Sequence, residues 1–281
     1  MIATLADIVA PLSVEAFREI LRHRELHLFR GDDARRHAAL LDWETLSEVV
    51  LSGAFPVRKL RVTRDGWVLP NLLYRDGDTP RRHVIEPLLQ AGGSVIAYGL
   101  EPYVPTLTDL CAAVSSVTGD KVTAGAIATT GRAGALDLHY DDQDLLILQV
   151  EGSKRWMIQA EPFPDPIEGM APVPGHADTP LLIDAVIEAG DWLFLPAGYR
   201  HRCETTSERS LHVGIFLHPL TAPRALDLLR LQLIGDPAAR KPIRFDPDEA
   251  VAAERDLKQR LIDQITTLSL DDLMAFNRTS S

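Results

Sequence analysis

The 281-residue chain has only two cysteines, Cys111 and Cys203. That excludes a disulfide framework and makes a reducing, cytoplasmic setting the expectation. No apolar run approaches the ~18–20 residues needed to span a bilayer, so no membrane association is expected. The first twelve residues are apolar but carry Asp7 and no basic flank, which argues against a signal peptide. Basic charge is also short, with 29 Lys and Arg against 40 Asp and Glu and a net charge of −11. Residues 221–281 hold nine basic and ten acidic residues, so the acidity belongs to the first 220. Nucleic-acid binding relies on neutralising phosphates and fits such a chain poorly. A basic protein or peptide partner fits better. The short basic runs at Arg35-Arg36, Arg58-Lys59-Leu60-Arg61 and Arg81-Arg82-His83 read as solvated surface.

What is present suits a folded core, with 46% hydrophobic residues and a length for one large domain with an appendage. Ser13 caps a predicted helix through Val14, Phe17, Ile20 and Leu21, and a second is predicted over Trp43–Leu51. Residues 58–73 alternate like strands around an Asp65-Gly66 turn. Thr106 and Asp109 have capping-box spacing at a helix that Gly119 stops. Between about Val122 and Leu217, short β-rich runs separated by Gly, Pro and Asp predict a sandwich or barrel. Beyond Pro219 the chain turns helical, with Pro223, Asp246-Pro247-Asp248-Glu249 and Ser269 as start signals. These apolar helices can pack on their own barrel or on a second copy as a homodimer, and the sequence leaves both open. Asn277-Arg278-Thr279 matches a glycosylation sequon that would be inert in a cytoplasmic chain.

Two segments carry chemistry. Leu138-His139-Tyr140-Asp141 contains His-x-Asp, and on a strand residues i and i+2 share a face, so both can hold one ion. About sixty residues later, Gly190-Asp191-Trp192-Leu193-Phe194-Leu195-Pro196-Ala197-Gly198-Tyr199-Arg200-His201 supplies a second histidine after a Pro-x-Gly turn. Two imidazoles and a carboxylate make a facial triad that leaves positions open on Fe(II). Either segment alone is common, and the specificity lies in the joint pattern.

The second segment matches the second cupin motif. His139-Tyr140-Asp141-Asp142 through Gln149-Val150-Glu151-Gly152-Ser153-Lys154-Arg155-Trp156 resembles the JmjC-type cupins of the ribosomal-oxygenase group. The likeness spans roughly residues 15–220 and is specific over 134–216. It implies a mainly β chain with flanking helices and a double-stranded β-helix (jelly-roll) core, residues 1–220 forming an oxygenase domain with an N-terminal helical part and residues 221–281 a C-terminal helical segment. It further implies an Fe(II)- and 2-oxoglutarate-dependent oxygenase that uses O2, with His139, Asp141 and His201 as metal ligands. Lys154, fifteen positions after the first ligand, would take the distal carboxylate of 2-oxoglutarate, and a dianion in a partly dry barrel does need a fixed cation. Arg155 should point away. Relatives often carry Asn-x-Tyr-x-Thr fourteen residues before the first histidine. Here Gly125 and Ile127 replace the first two, while Thr129 remains as a candidate 2-oxoglutarate contact. Relatives usually carry dimerisation helices and then a winged-helix domain, and of these the 61 residues beyond 220 are expected to hold only the helices.

The leading expectation is hydroxylation of a side chain in a protein or peptide. The alternatives are hydroxylation of a small molecule or free amino acid, demethylation of a methyl-lysine, a non-catalytic cupin binding module, and a cupin metalloenzyme that uses no 2-oxoglutarate. Trp156 and Trp192 read as core, His212 as a group that can face the metal cavity, and His83, His176 and His218 as structural or exposed. Cys203 shares a strand face with His201 if that strand continues.

Overall fold

The computed structural model describes residues 4–132, 134–170, 179–242 and 250–279. His176 and the Asp246–Glu249 start signal lie outside them. Contacts divide the chain into two compact units, residues 1–118 with 122–217 and residues 119–121 with 218–281.

In the first unit, helices α1 (Leu5–Val9) and α2 (Val14–His23) are capped by Thr4 and Ser13. Asp42 caps α3 (Trp43–Leu51), and α4 (Arg82–Gln90) and α5 (Pro105–Thr118) follow. Helix α5 begins one residue before the expected Thr106 cap. Proline at its first position lacks an N–H that would be unpaired anyway, and the Thr106 hydroxyl donates to the Leu40 carbonyl instead.

The early strands are β1 (His27–Phe29), β2 (Leu60–Arg64), β3 (Trp67–Val68), β4 (Arg75–Asp76), β5 (Thr79–Pro80) and β6 (Ser94–Tyr98). The later ones are β7 (Lys121–Thr130), β8 (Asp144–Glu151), β9 (Ser153–Gln159), β10 (Leu181–Glu188), β11 (Trp192–Leu195), β12 (His201–Thr205) and β13 (Arg209–His218). An eight-stranded sheet runs β1-β11-β8-β13-β7-β6-β2-β3, and a three-stranded sheet runs β10-β9-β12. Strand β8 shows how they pack. Its alternate residues Leu145 and Ile147 meet Trp156 and Ile158 of β9 and Ile187 of β10 in one apolar cluster, the jelly-roll interior. Leu146, Leu148 and Val150 point the other way into a larger core that includes residues of α1–α5. Being buried on both faces, β8 reads as a continuous apolar run. Trp192 is core as expected, fully buried with its ring stacked on Phe29 at 5.5 Å.

The second unit contains α6 (Ala222–Gly235), α7 (Ala250–Thr267) and α8 (Leu270–Thr279). Thr221 caps α6 with proline in its first turn, and Ser269 and Asp272 close a capping box on α8. Asn277 is buried, and its amide donates to the His218 carbonyl at 2.9 Å, so the sequon is not presented at the surface.

Candidate metal centre

His139 and His201 stand 62 positions apart in sequence and pair directly through their backbones. The N–H of His139 donates to the His201 carbonyl at 3.1 Å, and the reverse bond is 2.7 Å. This bridge is isolated: His139 and Asp141 do not lie on a continuous strand, contrary to the sequence expectation. They sit on a bent loop between β7 and β8, and Asp141 is held because its carbonyl accepts from the Gly198 N–H at 2.9 Å. The three side chains converge nonetheless. One ligand atom from each of His139, Asp141 and His201 lies within 4.8 Å of the others.

The backbone also sets the tautomers. Nδ1 of His139 lies 2.7 Å from the Asp137 carbonyl, and Nδ1 of His201 lies 3.0 Å from the Tyr199 carbonyl. A carbonyl only accepts, so each Nδ1 carries the proton and each Nε2 keeps its lone pair. Nε2 of His201 is 3.6 Å from Oδ2 of Asp141. Burial pushes the His201 pKa down to about 4, aided by neighbouring His139 and opposed by Asp141. His201 is therefore neutral at physiological pH, as a ligand must be.

The motif glycines have steric reasons. Gly190 has φ +93°, and a Cβ there would fall 2.2 Å from the Asp33 carbonyl oxygen. Gly198 has φ +88°, and a Cβ would fall 2.0 Å from the Phe163 carbonyl oxygen. Only glycine permits both the left-handed backbone and the close approach.

Two carboxylates that sequence reasoning left without a role fasten these loops. Asp144, nearly buried, accepts from Arg24 Nη2 at 3.0 Å and from the Ala197 N–H at 2.7 Å. Asp191, equally buried, accepts from Arg30 at 2.7 Å and from the N–H groups of Gly31 and Glu188. No sequence spacing signals such long-range pairs.

Lys154 lies on β9 on the same face as Trp156 and Ile158, and Ile158 is the register partner of His201. Four residues of strand put the lysine backbone ~13 Å from that ligand. Its side chain is 1% exposed, yet no carboxylate pairs with it among the described residues. Nζ reaches Thr129 Oγ1 at 3.4 Å, and that hydroxyl donates to Ser94 at 2.9 Å. Burial pushes the Lys154 pKa down. Nearby, Thr205 Oγ1, Trp156 Nε1 and His212 Nδ1 are buried without partners among the described residues. Trp156 is buried core as expected and also borders the site, its ring stacked on His201 at 5.6 Å. Arg155 points away, paired with Asp184 at 2.6 Å. Cys203 shares β12 with His201 and packs on the interior cluster.

A cavity of about 60 Å³ is lined by Tyr98, Gly125, Ile127, Trp156, His212 and Phe216, among others. The altered 125–129 segment thus forms its wall. A Cβ at Gly125 would fall 2.7 Å from the Ala97 carbonyl and 3.0 Å from the Phe216 ring. Phe216 occupies the space that a side chain at 125 would need.

Residues 102–225 match the model of the JmjC domain. Over 131 residues the chain is 30% identical to the bifunctional lysine-specific demethylase and histidyl-hydroxylase NO66 of Drosophila mojavensis, covering 45% of this chain and 15% of that protein. Ribosomal oxygenase 2 of Mus musculus is 25% identical over 214 residues, covering 74% of this chain and 46% of its own length. The chain thus spans less than half the length of these relatives. Its fold matches YcfD, a ribosomal oxygenase from Escherichia coli, with TM-score 0.59 and 15% identity over 92% of this chain and 68% of that one. Another YcfD structure holds cobalt and 2-oxoglutarate, with TM-score 0.56 and 15% identity over 88% of this chain and 67% of that one. The matched stretch contains the triad and Lys154, whereas Arg24 and Arg30 lie outside it.

Proposed function

We propose that the protein is an Fe(II)- and 2-oxoglutarate-dependent oxygenase that hydroxylates a side chain of a protein or peptide. The observation that carries this reading is Lys154, a buried cation without a carboxylate partner among the described residues. An unpaired buried charge is costly, so its retention calls for an anionic ligand. The triad fits Fe(II): two imidazoles fixed as Nδ1–H tautomers and one carboxylate leave three positions open. Bound there, Fe(II) would supply O2 activation coupled to decarboxylation of 2-oxoglutarate. The chain's own work is to bind and orient. Lys154, with the Thr129 hydroxyl beside it, holds the far carboxylate of the co-substrate. Trp156 and Phe216 keep the cavity wall apolar and dry. The acidic groups around the mouth favour a cationic residue at the metal. Asp142 shows their crowding, its pKa raised by burial and by the charges of Asp141 and Glu168.

The test is anaerobic loading with Fe(II), followed by addition of O2 and 2-oxoglutarate. Succinate should form with wild type and not with Asp141→Ala, and peptides from an extract should gain 16 Da with wild type alone. No succinate under any of these conditions would remove the oxygenase reading.

For the assembly we propose a homodimer through α6–α8. Among the described residues of this unit, eight large apolar ones are exposed, including Leu226, Val251, Ile262 and Leu270, a density unusual for a monomer surface. Light scattering should give twice the chain mass, and Leu226→Glu with Ile262→Glu should return the single-chain mass. A wild-type mass of one chain would refute it. The two free cysteines accord with the proposed cytoplasmic setting, and no described helix is long and apolar enough to cross a membrane.

A further inference from the structure

The hairpin formed by β2 and β3 presents a surface that the chemistry above does not use. Trp67 is 72% exposed, and Val68, Leu72 and Leu73 are exposed within six residues of it. The segment is firmly held. Leu69 N–H donates to the Val62 carbonyl at 2.9 Å, and the following Tyr74 is buried with its hydroxyl on the Leu60 carbonyl at 3.3 Å. Strand β3 is terminal in the eight-stranded sheet, an edge that offers backbone hydrogen bonds to an added strand.

Two independent contacts place this hairpin at the mouth of the metal centre. At its tip, a Cβ on Gly66 would fall 2.8 Å from Asp137 Oδ1, and the Asp137 carbonyl is the group that fixes the His139 ring. Along β2, the Arg61 guanidinium lies 5.2 Å from the centroid of Tyr98, which lines the cavity.

The charge here reverses that of the chain. Residues 58–83 hold seven basic and three acidic residues within a protein of net charge −11. Screening limits electrostatic reach to ~8 Å at physiological salt, so local charge decides what docks. Arg61 is exposed and stacked on Tyr98, with no ion pair among the described residues.

We infer that this hairpin docks an extended, acidic segment of a protein substrate, with an apolar side chain against Trp67, Leu72 and Leu73 and a carboxylate on Arg61. The inference deepens the oxygenase reading and rests on it for the polypeptide nature of the substrate. The β3 edge favours a polypeptide over a nucleic acid, because only a polypeptide extends the ladder. Acidic groups at the mouth would take a basic target residue, whereas the hairpin selects an acidic segment flanking it.

The test is selection of a random dodecapeptide phage library on the full chain. Enriched peptides should be net negative with at least one large apolar residue. Their synthetic versions should bind at least tenfold more weakly to Trp67→Ala and to Arg61→Glu by fluorescence anisotropy. No enrichment, enrichment of basic or uncharged peptides, or binding that either variant leaves unchanged would overturn the proposal. So would binding of a U12 RNA that both variants abolish, which would assign the face to nucleic acid. Selection needs no turnover, so failure to form succinate removes the oxygenase reading while the docking result stays legible.

Discussion

His201→Ala is expected to weaken Co(II) binding by on the order of 100-fold or more, measured by titration calorimetry and by loss of the visible Co(II) bands. Changes to groups that merely orient ligands already cost ~10–100-fold, and this change removes a ligand itself. The loss should be severe because of how the remaining pair is placed. His139 and Asp141 sit on an irregular loop with partial exposure, so water competes for whatever they hold. His201 is the buried member, anchored on β12 and backed by Trp156. The backbone bridge to His139 uses main-chain atoms and survives the substitution, so folding and metal binding can be read separately. Unchanged Co(II) affinity in a folded variant would mean that the triad is not a metal centre.

Lys154→Met is expected to move function and stability in opposite directions. A charge-assisted hydrogen bond to a carboxylate contributes ~1.5–3 kcal/mol, so 2-oxoglutarate affinity should fall by about 10- to 100-fold. Stability of the ligand-free protein should hold or rise, by up to ~3 kcal/mol, because methionine fills similar volume without an unpaired buried cation. The pH dependence carries a second signature. The folded pKa of Lys154 lies below its ordinary 10.5. The unfolded chain therefore binds more protons between the two values, and wild-type stability rises with pH through that window. The variant should lack this rise. Chemical denaturation at pH 7 and pH 10, with calorimetry for 2-oxoglutarate, checks both halves. A destabilised variant with unchanged affinity would make Lys154 a structural residue.

The barrel and the convergence of the candidate triad were legible in the sequence because their signals are local. Pro-x-Gly turns, a His-x-Asp pair and short apolar runs are each set by a few neighbouring residues. The strand assumed beneath His139 and Asp141 was not there, because β12 spends its ladder on β9 and leaves one backbone bridge for His139. Nor could the extent of the large sheet be read. Strand β1 pairs with β11 across some 165 positions, His27 opposite Phe194, and no periodicity reports a partner that distant. The exposure of Trp67 has no sequence signal, since alternation predicts a face but not whether anything covers it.

Arg24 and Arg30 bear on where this molecule can be cut. Both precede residue 102, where the JmjC match begins, and each neutralises a carboxylate sealed within the matched stretch. A fragment starting at 102 would inherit Asp144 and Asp191 without their cations, and stranding a buried charge costs ~3–5 kcal/mol apiece. Two such losses rival the whole margin by which a typical domain stays folded, ~5–15 kcal/mol. The family-model match therefore starts later in the chain than the cooperative unit does. The opening hundred residues, outside that match, hold the countercharges on which the matched part depends.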